Sequence, residues 1–284
     1  MNSKAHLLLE RSSSDVSGGA ELQVALLARE LAHRGYTTAL VHGSDSAGET
    51  RQVAGVECIP GGPFHTGAIR DVVAALAPVF GAIGRHRPRH VLVLGWTAWL
   101  FLLWVMRPFF GYRLIFICGL DTEADGRFAR ENGLRGRLFD LAMRRCDLIY
   151  AMSEAQQRRF GERGMKVALY RNLVLWPETA AQVPKDVDLL WIARCRPIKR
   201  PLLFLELARR LPQARCVMVC PPEDRELFAE VSKQAAALAN LQLIEKVPYH
   251  KVQSYYNRAR LFVNTSIAEG FANSFIQAGL GKAA

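Results

Sequence analysis

Short apolar runs alternate with amphipathic helical patterns along most of the chain, and this alternation is the feature that most restricts its fold. In the first half, strands are predicted at residues 7–9, 38–41, 91–94, 114–118 and 148–151, with helical segments between them. A helix that connects two strands brings the chain back to the end of the sheet at which the first strand began, so the second strand runs parallel to the first. The helices of successive connections cover both faces of the sheet. The pattern therefore predicts an α/β fold.

The alternation stops near residues 176–185, where Pro177 and Pro184 flank a polar stretch, and then begins again. Strands are predicted at 188–192, 215–219, 241–244 and 261–264, and helices at 201–211, 224–237, near 252–258 and from about 271. We therefore predict an N-terminal Rossmann-like domain at 1–178, a linker at 179–186 and a C-terminal Rossmann-like domain at 187–284. Two such domains are expected to face a ligand cleft at the carboxyl ends of their strands.

The net charge of +11 is concentrated in the middle of the chain. No acidic residue occurs between Asp71 and Asp121, whereas five arginines do. Such a basic region favours an anionic partner, for which a membrane surface, a nucleic acid and a phosphorylated substrate are the candidates. No nucleic-acid-binding motif accompanies the charge, so nucleic acid is the least favoured partner. The five arginines are Arg85, Arg87, Arg89, Arg107 and Arg113.

Residues 91–106 form an almost unbroken apolar run that is shorter than the ~20 residues of a spanning helix. One interpretation is a buried strand followed by a buried helix. The other exposes part of that helix, so that its aromatic side chains enter a bilayer interface beside the arginines. The aromatic residues concerned are Trp96, Trp99, Phe101 and Trp104.

The six cysteines are scattered and show no metal or redox spacing, which favours reduced thiols in a cytoplasmic protein. No signal-peptide core is recognised before the first strand. We expect a cytoplasmic protein, peripheral at the inner face of the membrane if the basic region binds lipid.

Glycines occur where the first strand leads into the first helix, at Gly18 and Gly19. Glycine lets the backbone approach a ligand closely, and free amides at a helix start favour phosphate. The same pair is also an ordinary turn signal. The dinucleotide pattern Gly-x-Gly-x-x-Gly is absent, which argues against an oxidoreductase.

A denser signal follows the predicted strand 188–192, where four cations occur within residues 194–200. Arginine offers a planar fork and lysine a point charge, and together they suit a diphosphate. The alternative is a solvated basic turn. The cations are Arg194, Arg196, Lys199 and Arg200.

A third segment, residues 269–277, follows the last predicted strand. Gly270 and Phe271 are expected to open a helix, with Glu269 just before it and Gln277 about two turns along the same face. A carboxylate in this position also serves as a simple helix cap.

The segments 188–201 and 256–271, together with the glycine pair, resemble the retaining family-4 glycosyltransferases of the GT-B fold. The resemblance implies that Arg194 and Lys199 bind the donor diphosphate and that Glu269 holds the transferred sugar. It also implies that Gly18 and Gly19 approach the sugar-phosphate. The remaining donor-binding residues it implies are Gly270, Phe271, Ala272, Asn273, Ser274 and Gln277.

The chain departs from this family in two places. The second glutamate of the family's Glu-x7-Glu motif is Gln277, which accepts a hydrogen bond but brings no charge to the nucleotide ribose. The histidine that many members place after a central strand is absent, and the loop carries Asp121 instead. Asp121 is a candidate for orienting the acceptor hydroxyl or the donor sugar, and a plain loop acid is the equal alternative.

The predicted function is transfer of a sugar, as by a retaining hexosyltransferase, from a nucleotide-sugar donor to a glycan, lipid-linked or other acceptor. The resemblance implies no cofactor and no metal. The alternatives are a nucleotide-sugar epimerase of GT-B fold and an inactive nucleotide-binding, membrane-associated remnant.

A sheet of order 3-2-1-4-5-6 would still lack two strands at residue 284, so the second domain is expected to be incomplete and poorly soluble.

Overall fold

The computed structural model describes residues 6–10, 19–43, 49–61, 69–95, 99–173, 183–267, 269 and 272–284. The chain divides into two compact units, Met1–Leu173 and Val174–Ala284, called here the N-terminal and C-terminal domains.

The N-terminal domain combines one sheet with helices on both of its faces. Its strands are β1 (His6–Glu10), β2 (Thr38–His42), β3 (Arg51–Val53), β4 (Val56–Pro60), β5 (His90–Leu94), β6 (Arg113–Ile117), β7 (Leu148–Ala151) and β8 (Val167–Leu169). Its helices are α1 (Gly19–His33), α2 (Ile69–His86), α3 (Trp99–Phe110), α4 (Asp121–Ala124), α5 (Arg127–Glu131), α6 (Gly133–Arg144) and α7 (Glu154–Glu162).

The strand order is β3-β4-β2-β1-β5-β6-β7-β8, and every pairing is parallel except that of β3 with β4. Alternate residues of the buried strands point to opposite faces, so each face has its own core. One core joins the sheet to α2, α3, α6 and α7, with Leu103 and Phe139 buried in it. The other joins the sheet to α1 through Val24 and Ala28. This arrangement confirms the predicted doubly wound fold.

The C-terminal domain repeats the same design on a smaller scale. Its elements are β9 (Val187–Ile192), a 3₁₀ turn (Pro197–Lys199), α8 (Pro201–Arg210), β10 (Cys216–Val219), α9 (Arg225–Ala235), β11 (Leu241–Ile244), α10 (Tyr249–Arg258), β12 (Ala259–Phe262) and α11 (Asn273–Leu280). All pairings are parallel, in the order β11-β10-β9-β12. The first strand of the domain is therefore flanked by the second and the fourth, and the loops after β10 and β12 both lie beside the loop after β9.

The nine strands predicted from apolar runs are all present, but β12 begins and ends two residues earlier than predicted. Three further strands, β3, β4 and β8, were not predicted. All three residues of β3 are exposed, so this strand needs no apolar sequence. β8 is an apolar run of three residues, Val-Ala-Leu, and is only half-buried. The last helix, α11, begins at Asn273 rather than near residue 271.

In each domain one polar side chain joins two segments that are far apart in the sequence. Gln23 on α1 accepts a hydrogen bond from the amide of Leu173 at 2.7 Å and donates to its carbonyl at 2.9 Å. Lys185 precedes β9, and its Nζ donates to the carbonyls of Ala259, Gly281 and Lys282 at 2.7, 2.6 and 3.1 Å. These contacts satisfy backbone groups that lie outside the strands and helices or at their ends.

Within the described part of the chain, no helix combines the length and apolarity needed to cross a bilayer. The tryptophan-rich helix α3 packs inward. Trp99 is only 3% exposed, and Phe101 and Trp104 are partly buried against the core, as the interpretation of a buried strand followed by a buried helix predicts. The alternative interpretation, insertion into a bilayer, does not hold for Trp99. Trp96 lies outside the described residues.

Candidate active site

The basic loop after β9 is held in a fixed shape by its backbone. The amide of Cys195 donates to the carbonyl of Pro221 at 2.9 Å, and the amide of Asp224 donates to the carbonyl of Cys195 at 3.1 Å. Arg200 adopts a left-handed conformation with φ 50°, and Pro201 then begins α8. Proline suits the first helical position because its missing N–H would have no partner there. The loop is thus tied to the loop after β10.

Two of the four cations in this loop share one carboxylate. Arg194 lies 3.4 Å from Oε2 of Glu223, in the loop after β10. Arg196 donates to Oε1 of the same carboxylate through Nε at 2.5 Å and through a second guanidinium nitrogen. These side chains are about one-third to one-half exposed, so the pairing fixes their positions more than it stabilises the fold.

Lys199 joins the loop after β9 to the loop after β12. Its Nζ donates to Oε1 of Glu269 at 2.7 Å and to Oε2 at 2.8 Å. Both side chains are about three-quarters buried. The structure therefore brings together two residues that are 70 positions apart in sequence and that were both predicted to act on the donor.

Glu269 has further partners that keep it ionised. Ser266 donates to its Oε1 at 2.6 Å and Asn264 at 3.3 Å. Partial burial raises the pKa of Glu269, but the hydrogen bond and charge of Lys199, together with the bond from Ser266, outweigh burial and hold the pKa below its ordinary value. Glu269 is consequently an anion under any working condition near neutral pH.

Thr265 couples the backbone of the two loops. Its hydroxyl accepts a hydrogen bond from Nε1 of the buried Trp191 at 2.9 Å and donates to the carbonyl of Lys199 at 2.7 Å. The amide of Ile267 also donates to the carbonyl of Ile198 at 2.9 Å. The buried Trp191 thus holds Thr265, and Thr265 holds the backbone at Lys199, so the Lys199–Glu269 pair is anchored to the packed interior of the domain.

This arrangement is preorganised for an anion. The carboxyl ends of neighbouring parallel strands are where open α/β sheets bind ligands. The cations there are already oriented by Glu223 and Glu269, so little rotamer freedom is lost when an anionic group arrives. A bound diphosphate would share or displace these carboxylates, which act as internal counterions.

The other predicted donor residues are only partly described. Gly18, Gly270 and Phe271 lie outside the described residues. Gly19 is the first residue of α1, as its place at a strand–helix junction predicts. Ala272 is the N-cap of α11, and Asn273 and Ser274 are its first two residues. Gln277 lies in the second turn of α11, where its carbonyl accepts a hydrogen bond from Gln253 of α10 at 3.0 Å.

Asp121 occupies a separate position in the N-terminal domain, at the start of α4 and after β6. Its Oδ1 accepts a hydrogen bond at 3.0 Å from Nε2 of Gln156, a fully buried side chain. The Oε1 of Gln156 accepts from the amide of Met152 at 2.9 Å, which leaves its Nε2 as the donor to Asp121. The carboxylate remains half-exposed, with Arg159 3.9 Å from Oδ2. Asp121 is thus positioned by a neutral amide and keeps room for a ligand.

Two residues that position the candidate site residues, Glu223 and Gln156, carry no clear signal in the sequence. Glu223 becomes recognisable only when β10 is known to lie beside β9, since the carboxyl ends of neighbouring strands then meet. Ser153 and Gln156 have the spacing of a capping box at the start of α7, and the sequence gives Gln156 no other role. The backbone amide of Gln156 donates to the Ser153 hydroxyl at 3.2 Å, as in such a box. The Gln156 side chain, however, bonds the amide of Met152 and the carboxylate of Asp121 instead of the backbone amide of Ser153, so the box is not completed.

Two Rossmann-like domains, the second with a cationic loop after its first strand, define the class of GT-B glycosyltransferases. Comparison with known families agrees. Residues 18–172 match the glycosyl transferase 4-like domain. Residues 176–279 match glycosyl transferases group 1. The chain belongs to this glycosyltransferase family.

Solved structures of this fold cover nearly the whole chain. Sucrose-phosphate synthase from Thermosynechococcus elongatus is 15% identical, with a TM-score of 0.76 over 97% of this chain and 79% of that protein. WaaG, a glycosyltransferase involved in lipopolysaccharide biosynthesis, is 13% identical, with a TM-score of 0.68 over 98% and 79%. A glycosyltransferase from Rickettsia africae is 14% identical, with a TM-score of 0.65 over 100% and 78%. Identities this low establish the fold alone. No curated protein sequence matches the chain significantly.

Proposed function

We propose that the protein transfers a sugar from a nucleotide-sugar donor to a glycan, lipid-linked or other acceptor, with retention of the anomeric configuration. The observation that carries the proposal is the pair formed by Lys199 and Glu269, with Nζ 2.7 and 2.8 Å from the two carboxylate oxygens, in the same loop system as Arg194. A cation for the leaving group and an anion for sugar hydroxyls are what a donor site of this kind requires.

In this proposal the protein acts mainly through charge. The acceptor hydroxyl oxygen bonds to the anomeric carbon as the bond between that carbon and the diphosphate oxygen breaks. The electron pair leaves with the diphosphate, on which negative charge grows in the transition state, and the acceptor's proton passes to the departing diphosphate. Arg194 and Lys199 offset that charge. Glu269 accepts hydrogen bonds from hydroxyls of the transferred sugar, and Gly18 and Gly19 approach the sugar-phosphate. The reaction is proposed to need no metal and no cofactor.

Asp121 is proposed to orient the acceptor hydroxyl. Its carboxylate is held at one oxygen by Gln156 and is half-exposed, so the second oxygen can accept a hydrogen bond from a sugar hydroxyl. In the same proposal the enzyme works in the cytoplasm and binds the inner face of the membrane, in keeping with the net charge of +11.

The experiment has two stages. Melting temperatures are first measured with a panel of nucleotide sugars and their free nucleoside diphosphates, in the presence and absence of EDTA. The donor that stabilises the protein is then incubated with and without oligosaccharide and lipid-linked acceptors, and the product anomer is assigned by NMR.

Transfer to an acceptor with a retained anomer, unchanged by EDTA, is the expected result. Turnover of donor alone into a sugar epimer would support the epimerase instead. Stabilisation by nucleotide without any turnover would support a nucleotide-binding remnant. An inverted product, or activity that disappears with EDTA, would overturn the corresponding part of the proposal.

A further inference from the structure

The outer surface of α6 is apolar and basic although it faces solvent. Gly136, Phe139, Ala142 and Met143 on its inner side are buried. The opposite side carries leucine and arginine at helical spacing, and on it Leu134 is 72% exposed and Leu141 is 39% exposed. Exposed leucines scattered singly need no explanation, but two on one helix face beside arginines form a patch. The residues of this face are Leu134, Arg137, Leu138, Leu141 and Arg145.

The neighbouring helix α3 extends this surface. It packs beside α6 on the same face of the sheet, since both contribute to the same core. Its inner residues Trp99, Leu100 and Leu103 are buried, whereas Phe109 in its last turn is 78% exposed and Val105 is also exposed. We call the outer faces of the two helices, from Val105 to Phe109 and from Leu134 to Arg145, the α3–α6 face.

The cations of the α3–α6 face fall into two groups. Two of them are paired with acidic residues, Arg107 with Asp147 and Arg144 with Asp140. Among the described residues, no ion pair involves the other three, Arg135, Arg137 and Arg145. Exposed arginines without acidic partners keep their full charge for an external anion. Glu131, just before α6, is the exposed acid closest to them in sequence.

From these observations we propose that the α3–α6 face binds a lipid bilayer that contains anionic phospholipids. Exposed leucine and phenylalanine enter the boundary between headgroups and acyl chains, while arginine contacts lipid phosphates. A nucleic acid would use the arginines but leave Leu134, Leu141 and Phe109 in water, so the apolar residues decide in favour of the membrane. Any binding is reversible because no spanning helix is involved.

The α3–α6 face supplies a defined surface for the membrane binding named in the proposed function, and the inference rests on that function for the membrane association and for the lipid-linked nature of the acceptor. Vesicle binding is measured without donor or acceptor. A failure of vesicle binding therefore leaves the transfer reaction to a soluble acceptor intact, and a failure of transfer leaves the binding result intact.

The test is sedimentation of the full chain with vesicles of phosphatidylcholine alone and of phosphatidylcholine mixed with phosphatidylglycerol. We expect binding to the mixed vesicles only, and its loss near 1 M salt, where the screening length is about 3 Å. The pair of changes Leu134→Asp and Leu141→Asp should weaken binding about tenfold or more, and so should Arg137→Glu with Arg145→Glu. The matched controls are Leu203→Asp on α8 and Arg51→Glu on β3, both exposed positions elsewhere.

Control variants should bind like the unchanged protein, and circular dichroism should show every variant folded. If an aspartate variant does not fold, the milder Leu141→Gln tests the same side chain. Absence of binding to mixed vesicles, or equal losses in the controls, would overturn the proposal. Tight binding of an oligonucleotide that the leucine changes do not affect would assign the face to nucleic acid instead.

Discussion

The cations after β9 and the cations on α6 carry the same charge in opposite settings. Lys199 is held by both oxygens of Glu269 at 2.7 and 2.8 Å. Arg137 and Arg145 stand on an exposed helix face and have no ion-pair partner among the described residues. A paired, partly buried cation samples few rotamers and is ready for one ligand geometry, whereas a free arginine adapts to many. Pairing is therefore the feature that separates the proposed donor site from the proposed membrane-binding surface.

The largest expected effect comes from removing the paired lysine. Lys199→Ala should lower kcat/KM at least tenfold, about 1.4 kcal/mol, because charge on the leaving diphosphate is no longer offset. The melting temperature should change little, since Ser266 and Asn264 still donate to Glu269. Arg194→Ala is expected to behave in the same way.

The matched control for this change is Arg137→Ala, which should leave activity toward a soluble acceptor within about twofold because a solvated arginine contributes little. Equal activity of the Lys199→Ala enzyme and the unchanged enzyme would contradict the role of Lys199.

Removing the charge of the counterion Glu223 is expected to have a smaller effect, and one that strengthens diphosphate binding instead of weakening catalysis. Glu223→Gln removes the charge that Arg194 and Arg196 share, so both become free for a phosphate. Binding of the free nucleoside diphosphate should tighten by about fivefold, as measured by calorimetry. Glu226→Gln, an exposed neighbour on α9, is the control. Weaker or unchanged binding in Glu223→Gln would mean that the carboxylate does not compete with the donor.

Asp121 adds a third case to the comparison of paired and free charges, since its carboxylate accepts a hydrogen bond from the neutral side chain of Gln156. Asp121→Asn keeps an oxygen for Gln156 but loses the charge offered to the acceptor. We expect the acceptor KM to rise about threefold to fivefold while the donor Kd is unchanged. Glu154→Gln at the start of α7 serves as a control for charge alone. A change in the donor Kd with no change in the acceptor KM would indicate that Asp121 contacts the donor sugar instead of the acceptor.

The smallest effect concerns acid stability, where the two domains should again differ. Burial lowers the pKa of His6 to about 4, and His90 and Arg89 add to this. The folded N-terminal domain keeps His6 neutral while the unfolded chain takes up a proton near pH 6.5, so stability falls as the pH drops from about 6.5 to 4. The pKa of Glu269 is lowered instead, so its contribution is present above its unfolded pKa and is lost only as the pH falls through the lower folded pKa.

Melting curves at pH 7 and pH 5 measure this difference. His6→Phe should reduce the loss on acidification, and donor binding by the C-terminal domain should hardly change between the two values. An unchanged loss in His6→Phe would assign the acid sensitivity to another group.

The positions of Arg194, Lys199 and Glu269 just past strand ends were predictable from the sequence, and their roles toward the donor stay predictions. The contact between Lys199 and Glu269 was not predictable, since it depends on β9 and β12 being neighbours in the sheet. The outer face of α6 was not singled out, for a different reason. α6 carries apolar residues on both sides, Phe139 inward and Leu141 outward, so the sequence does not say which side meets the core. For α3 the sequence left two interpretations open, a buried helix and a helix with aromatic residues at a bilayer, and Trp99 lies in the core as the first of them predicts.

The side chains of Gln23 and Lys185 have a consequence for synthesis on the ribosome, because each bonds backbone that is made much later. The Gln23 bonds form only after Leu173 has left the exit tunnel, and two of the three Lys185 bonds form only after Gly281 and Lys282 have left it. The Gln23 contact can therefore be complete before β9 has fully emerged, whereas Lys185 gains its carbonyl partners in two steps, Ala259 first and the turn after α11 later.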